Sequence, residues 1–460
     1  MIKKVTLLFS VAAFVAALMV SCMDPMDDTS VDGNKQEEQL DDLKPLKATT
    51  PVSENWVFEG KPKLLVRIEN PNGVKVEAKV VVKITKDIKQ AVATITKTFA
   101  IAANKTTEVT ITTDEDLPAG FYSATSYVNN EAVSSFVFGV SPFEVVSEPD
   151  KQSDFDAYWE ETKNQLKAVD MNPRLTEITS KSSAKRKVYL VEMNSIQDGL
   201  TGEPVVVRGY YLEPQDGQKH PVIMHFFGYD DINGASKAYC PDGGASDYAE
   251  FYLSTRGQVV NNRTADKREP DGKGDFTNVY GDWFAYSFGN VESYYYRGAF
   301  MDCVQAVRFM ATRTTSDMTK LFAEGSSQGG ALSYAAAALS DYPFTAIAPC
   351  VAFLGDFPDY FKIVSWPGDT AKANKGSMTD EQMYAFLSYF DTKNLATRLG
   401  DCAVIACTGL QDKTCPPHTN IAPYNNLPTT DKEYYFYPEM KHDIPSDWAG
   451  KYMKFFKERM

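Results

Sequence analysis

The chain is poor in the residues that metal and redox chemistry draw on. Its 460 residues include four histidines, His220, His225, His418 and His442, and seven cysteines. No CxxC pair and no His–Cys cluster occurs, so no metal site is expected. No Gly-x-Gly-x-x-Gly and no Walker sequence occurs either, so no cofactor is assigned. Basic residues are in deficit. The net charge of −14 argues against nucleic acid as a partner, because phosphates repel such a surface. What the chain does have is apolar residues, at 43%, enough for a substantial core in two or three domains.

The N-terminus reads as a targeting segment. Lys3 and Lys4 precede an apolar run from Leu7 to Val20, which is too short for a comfortable membrane span. The run ends in Leu18-Met19-Val20-Ser21-Cys22, which resembles a bacterial lipobox. That resemblance implies a signal peptide over residues 1–22, lipidation of Cys22, and an exported lipoprotein at the outer membrane. Residues 23–53 are polar and acidic, with Asp24, Asp27 and Asp28 near the start. They read as a flexible tether reaching roughly 30 Å, similar to the export tethers of Bacteroidetes-type lipoproteins. The other six cysteines are Cys240, Cys303, Cys350, Cys402, Cys407 and Cys415. They have no compact spacing, and few or no disulfides are expected.

Residues 54–145 change character. Six β-branched, partly alternating runs occur between Lys63 and Val140, separated by turns such as Asn70-Pro71-Asn72-Gly73. This pattern predicts an immunoglobulin-like β-sandwich. The region contains no histidine and no catalytic constellation, and a spacer or packing role fits it better than carbohydrate binding. Residues 150–460 begin with a predicted helix over Asp154–Leu166. Strands are then predicted at 188–193, 205–211, 221–226, 251–254, 321–324, 345–348, 402–408 and 433–437. Two early strands followed by strand–helix alternation imply an α/β domain with a mainly parallel sheet.

Within that domain, Gly325-Ser326-Ser327-Gln328-Gly329-Gly330 fits Gly-x-Ser-x-Gly, centred on Ser327. A short apolar strand precedes it and an Ala-rich helix follows, the context of a nucleophile elbow. A serine hydroxyl needs a base, and the base needs an orienting carboxylate. In this fold the order is Ser, then Asp or Glu, then His. His418 and His442 follow Ser327. His442 lies after the last predicted strand, where the base is delivered, and is preferred. Asp412 follows the preceding strand and is the candidate acid. Asp443 is a rival by proximity, but adjacent side chains rarely meet in useful geometry. The oxyanion donors are assigned to the backbone N–H groups of Gln328 and Tyr229, the latter in the loop after strand 221–226. His225 reads as structural.

These residues resemble the acetyl xylan esterase / cephalosporin C deacetylase family, carbohydrate esterase family 7. The likeness rests on Arg256-Gly257-Gln258, the elbow and His442. It extends to Asp154–Trp159, Tyr294–Gly298, Leu387–Asp391 and Gly409–Pro417. The resemblance implies an α/β-hydrolase that removes acetyl groups from small carbohydrates, with Ser327, Asp412 and His442 catalytic. It makes Arg256, Gln258, Gly325 and Gly329 scaffold around the site. Members often form hexameric rings, so a homo-oligomer is an expectation. The chain departs from the pattern at Asp443, at Val259-Val260 and in a glycine-rich stretch from Cys240 to Gly244. The sandwich and the lipid tether are additions. Two other readings are a serine peptidase of prolyl-oligopeptidase type and a non-catalytic glycan-binding lipoprotein. The first would need a large β-propeller; the second is disfavoured by a complete triad.

Overall fold

Alternating burial in the N-terminal third builds two facing sheets. The computed structural model describes residues 43–229, 239–258, 260 and 280–460. Its first strands are β1 (Lys47–Thr49), β2 (Val57–Phe58), β3 (Leu64–Glu69), β4 (Val76–Lys86), β5 (Ala91–Ile101), β6 (Thr106–Ile111), β7 (Gly120–Val128) and β8 (Glu131–Val140). They form a three-stranded sheet, β1-β3-β6, and a five-stranded sheet, β2-β8-β7-β4-β5. On β4, Ala78, Val80, Val82 and Ile84 are buried while Glu77, Lys79 and Lys83 face outward. On β3, Leu64, Val66 and Ile68 are buried in the same way. With a side-chain period of two, each sheet presents one apolar face. Both faces belong to one core, as in a β-sandwich.

The sandwich includes a strand that lies earlier in the chain than its composition suggests. Strand β1 lies in the polar stretch assigned to the tether, yet Ala48 pairs with Ile68 of β3. Its side chains are partly or fully exposed, so no apolar signal marks it. Cys22, the signal-peptide segment and most of the tether lie outside the described residues.

The second part is a nine-stranded sheet flanked by helices. Its strands are β9 (Arg174–Glu177), β10 (Arg186–Ser195), β11 (Val205–Pro214), β12 (His220–Phe226), β13 (Ala249–Ser254), β14 (Ser316–Ser326), β15 (Ala346–Cys350), β16 (Ala403–Gly409) and β17 (Lys432–Tyr437). The spatial order is β17-β16-β15-β14-β12-β13-β11-β10-β9. Strands β13 through β17, including β12, pair in parallel, and β9 to β11 pair antiparallel. All eight strands predicted here are present; β9, short and largely exposed, was not foreseen.

The described helices are α1 (Phe155–Ala168), α2 (Tyr295–Ala311), α3 (Gln328–Leu339), α4 (Phe357–Ile363), α5 (Gly368–Asn374), α6 (Asp380–Leu387), α7 (Thr392–Ala396), α8 (Pro417–Asn425) and α9 (Trp448–Lys457). None of these is long and apolar enough to cross a membrane. Helix α3 is buried nearly all round, which is why its sequence is Ala-rich rather than amphipathic.

From Leu46 to Met460 the chain is one compact unit. The sandwich and the large sheet share a continuous core. Phe143, in the connecting segment, packs against Tyr424, Tyr434 and Phe436 at centroid distances of 5.9, 6.2 and 5.9 Å. The boundary near residues 145–150 therefore marks a change of architecture and not a break in the core.

Candidate active site

The elbow stores backbone strain at one residue. Ser327 joins β14 to α3 with φ 58° and ψ −120°, a conformation that costs a non-glycine residue about 1–3 kcal/mol. Three backbone bonds hold it: Ser327 N–H donates to Cys350 O at 2.9 Å, and the Phe353 and Ala331 N–H groups donate to Ser327 O at 3.0 and 3.2 Å. Neither Gly325 nor Gly329 is in the left-handed region, and the turn belongs to Ser327. Their role is close approach: a Cβ on Gly325 would lie 2.4 Å from Gly329 O, and one on Gly329 would lie 2.3 Å from Phe226 O. Strand, helix and the end of β12 thereby meet at backbone distance.

Asp412 follows β16 and His442 follows β17, so both reach the same end of the sheet as Ser327. His442 Nδ1 is 2.7 Å from Asp412 Oδ2, and His442 Nε2 is 3.0 Å from Ser327 Oγ. The other carboxylate oxygen, Oδ1, accepts the Thr414 and Cys415 N–H groups at 2.8 Å each. Asp412 is thus pinned with only Oδ2 facing the ring. A carboxylate only accepts, so the imidazole proton sits on Nδ1 and leaves Nε2 to accept from the serine. Asp443 is exposed and bonds its neighbour Ile444 N–H, so it plays no part in orienting the ring. Cys415 is buried near the serine. Burial pushes its thiol well above the ordinary value, with a Ser327 contact opposing, so it stays protonated and does not compete as a nucleophile.

Gln328 is the first residue of α3, where the helix dipole favours negative charge. Its side chain is buried and accepts the Tyr296 hydroxyl at 3.0 Å. Tyr229 lies just beyond β12. Its hydroxyl donates to Asp282 Oδ1 at 2.6 Å. Its ring packs against Trp283, Phe353 and Trp366, and Phe353 is the residue that bonds Ser327 O. Gln258 supports this loop directly, donating to Gly228 O at 2.9 Å while its own oxygen accepts the Thr255 N–H at 3.0 Å.

Arg256 acts one layer further out. Its Nε and Nη2 donate to Asp302 at 2.9 and 2.8 Å, and Nη2 also reaches Ile196 O at 3.0 Å. Burial opposes the guanidinium charge, but Asp302 outweighs it and raises the pKa. A Cβ on Gly298 would sit 2.2 Å from Arg256 Cζ, which explains the glycine after Arg297. Asp302, on α2, was not singled out in the sequence; a carboxylate at a buried helix position was the available signal.

The remaining histidines are elsewhere. His225 stacks on Tyr252 with a centroid distance of 4.0 Å and bonds Glu324 at 2.7 Å. His220 pairs with Asp216 at 2.9 Å. His418 Nδ1 is 2.8 Å from Asp87 of the β4–β5 turn, and its Nε2 is 3.3 and 3.4 Å from Asp356 and Asp359. Among the described residues, Asp356, Asp359 and His418 are the one group spaced to take a metal ion. Sequence spacing hid it, because the fold assembles it. Burial opposes protonation of His418, but the three carboxylates hold its pKa well above the usual value, and a ring nitrogen must lose its proton to ligate. A cavity of about 420 Å³ lies beside this cluster, between the sandwich and the Asp412 loop, lined by Phe121, Tyr122, Lys413 and Pro416 among others.

Residues 144–459 match the model of the acetyl xylan esterase (AXE1) family. The chain belongs to that family. It is therefore a carbohydrate acetylesterase of the serine type on an α/β-hydrolase fold. Acetyl esterase Axe7A of Xylanibacter ruminicola is 24% identical over 325 residues, 67% of this chain and 67% of that protein. Acetyl xylan esterase 1 from Thermoanaerobacterium sp. aligns with a TM-score of 0.55 and 22% identity over 69% of this chain and 96% of that one. The acetyl xylan esterase from Paenibacillus sp. R4 gives 0.55 and 24% over 69% and 98%. At such identities the two structures bear on the fold. Strands β1 to β8 lie outside the family match.

Proposed function

We propose that Ser327, His442 and Asp412 hydrolyse the acetyl esters of small xylo-oligosaccharides by double displacement. The observation that carries this reading is the unbroken hydrogen-bonded series from Asp412 through His442 to Ser327 on a strained elbow. Ser327 Oγ attacks the acetyl carbonyl carbon as His442 Nε2 takes its proton. The carbonyl oxygen becomes an oxyanion that accepts from the Gln328 and Tyr229 N–H groups. The tetrahedral intermediate collapses, and His442 returns the proton to the departing sugar oxygen. Water, deprotonated by His442, then attacks the acetyl-serine; the second intermediate collapses as His442 returns the proton to Ser327 Oγ, and acetic acid leaves and ionises in solvent. Asp412 stays ionised and stabilises the imidazolium formed in each half-reaction. The peptidase alternative required a propeller, and the N-terminal region is a two-sheet sandwich.

Labelling with a fluorophosphonate tests the nucleophile. Ser327 is expected to carry the label, and Ser327→Ala is expected to lose both labelling and p-nitrophenyl acetate turnover with the fold intact. Wild-type turnover by Ser327→Ala would sink the assignment. The N-terminal sequence supports a further part of the proposal, a lipoprotein held at the outer membrane through acylated Cys22. Each buried acyl methylene contributes about 0.8 kcal/mol. Cys22→Ser should move the chain from the membrane fraction to the soluble one, and unchanged membrane retention refutes the anchor.

A further inference from the structure

We propose that Gln411 is a positioning residue that clamps both catalytic loops to the edge of the sandwich. The proposal rests on the triad reading above. Gln411 immediately precedes Asp412. Its side-chain amide makes three bonds. Oε1 accepts the Val137 N–H at 2.9 Å, and Nε2 donates to Val137 O at 3.0 Å and to Pro438 O at 2.7 Å. Val137 belongs to β8, whose inner edge pairs with β7. Its outer edge pairs with β2 only at Gly139 and Val140 among the described residues. At Val137 the amide of Gln411 therefore occupies the place of a neighbouring strand, donating and accepting as a backbone would.

The third bond brings in the other loop. Pro438 opens the segment that carries His442, and Gln411 N–H also donates to Met440 O at 2.9 Å. One residue thus ties the acid loop to the base loop and both to a strand outside the α/β domain. The chemistry is specific to glutamine. Exchanging oxygen and nitrogen would set the NH₂ against the Val137 N–H, so a single orientation satisfies all three partners. Glutamate would lose both donors and face Val137 O and Pro438 O with an acceptor. Methionine would fill the space with no bonds. A second link between the sandwich and the α/β domain joins Asp87 of the β4–β5 turn to His418 of α8, the helix that follows the acid loop.

Displacement of catalytic groups by about 1 Å can cost about a hundredfold in rate. The test measures kcat and KM of the full chain on p-nitrophenyl acetate for Gln411→Met, Gln411→Ala and Gln411→Glu. Turnover is normalised to folded protein by circular dichroism, with Ser327→Ala as reference. All three variants are expected to lower kcat by about ten- to a hundredfold with KM unchanged, and Met is expected to do no better than Ala. Wild-type kcat in Gln411→Met overturns the proposal, because filling the space would then suffice. A raised KM at constant kcat overturns it too, by making the effect one of substrate binding. If Ser327→Ala turns over at the wild-type rate, the triad reading fails and takes this one with it. If Ser327→Ala is inactive while the Gln411 variants keep kcat, the clamp alone fails.

Discussion

In the proposed mechanism Ser327 depends on what its neighbours forbid. Its backbone is held at φ 58°, and among the described residues the base within reach is His442 Nε2, whose ring partner Nδ1 is already committed to Asp412. Because Asp412 Oδ1 accepts two backbone N–H groups, an asparagine there would keep its oxygen in that position and turn its NH₂ toward His442 Nδ1. The ring would then carry its proton on Nε2, where it cannot accept from serine. Asp412→Asn is expected to lower kcat by about 10⁴-fold, read on p-nitrophenyl acetate; an intact rate would move the acid role elsewhere. The triad was legible in the sequence because each member sits in a local flank of recognisable type and the three follow in a fixed order. Gln411 was not legible as a structural link, because its partner Val137 is 274 positions away and nothing near either residue announces the other.

At the scale of elements, the loop after β12 is supported by a buried polar layer. Gln258 holds the loop, Arg256 follows β13, and Asp302 of α2 holds Arg256. Removing one partner of a buried ion pair leaves a charge without compensation, which costs about 3–5 kcal/mol. Asp302→Asn is expected to lower unfolding stability by that order in a denaturant titration, and a change within about 0.5 kcal/mol would contradict the account. The resemblance identified Arg256 and Gln258, but the spacing alone said nothing about them. Strand β2, two residues long, escaped the sequence reading, as did β1 and β9, which are three and four residues long and mostly exposed. The pairing of β1 and β9 is specified by the longer strands beside them, β3 and β10, and not by their own pattern.

At the scale of the whole molecule, the sandwich is joined to the catalytic domain by a shared core and by charged contacts around His418. Its imidazolium is flanked by Asp87 from the sandwich and by Asp356 and Asp359 from the α/β domain, with Lys393 and Lys362 behind the latter two. The folded pKa of His418 is raised well above 6.5. The stabilisation is therefore complete below about pH 6.5, where the unfolded chain is also protonated, and is lost as pH rises through the folded value. Asp87→Asn is expected to lower the Tm most near pH 6, with the gap to wild type closing toward alkaline pH. Thermal melts across that range check this, and a gap independent of pH contradicts it.

The division into a sandwich and an α/β domain was visible in the shift from period-two patterning to strand–helix alternation. That the two share one core was not, because Phe121 and Phe436, whose rings meet at 6.4 Å across the junction, look like ordinary apolar residues until the chain folds. The central claim is that this assembly is a carbohydrate deacetylase acting through Ser327. Its most direct test is acetate release from acetylated xylo-oligosaccharides by the wild type and by Ser327→Ala. The account predicts release by the wild type and at least about 10³-fold less by the variant; equal release by both, or none by the wild type, would contradict it.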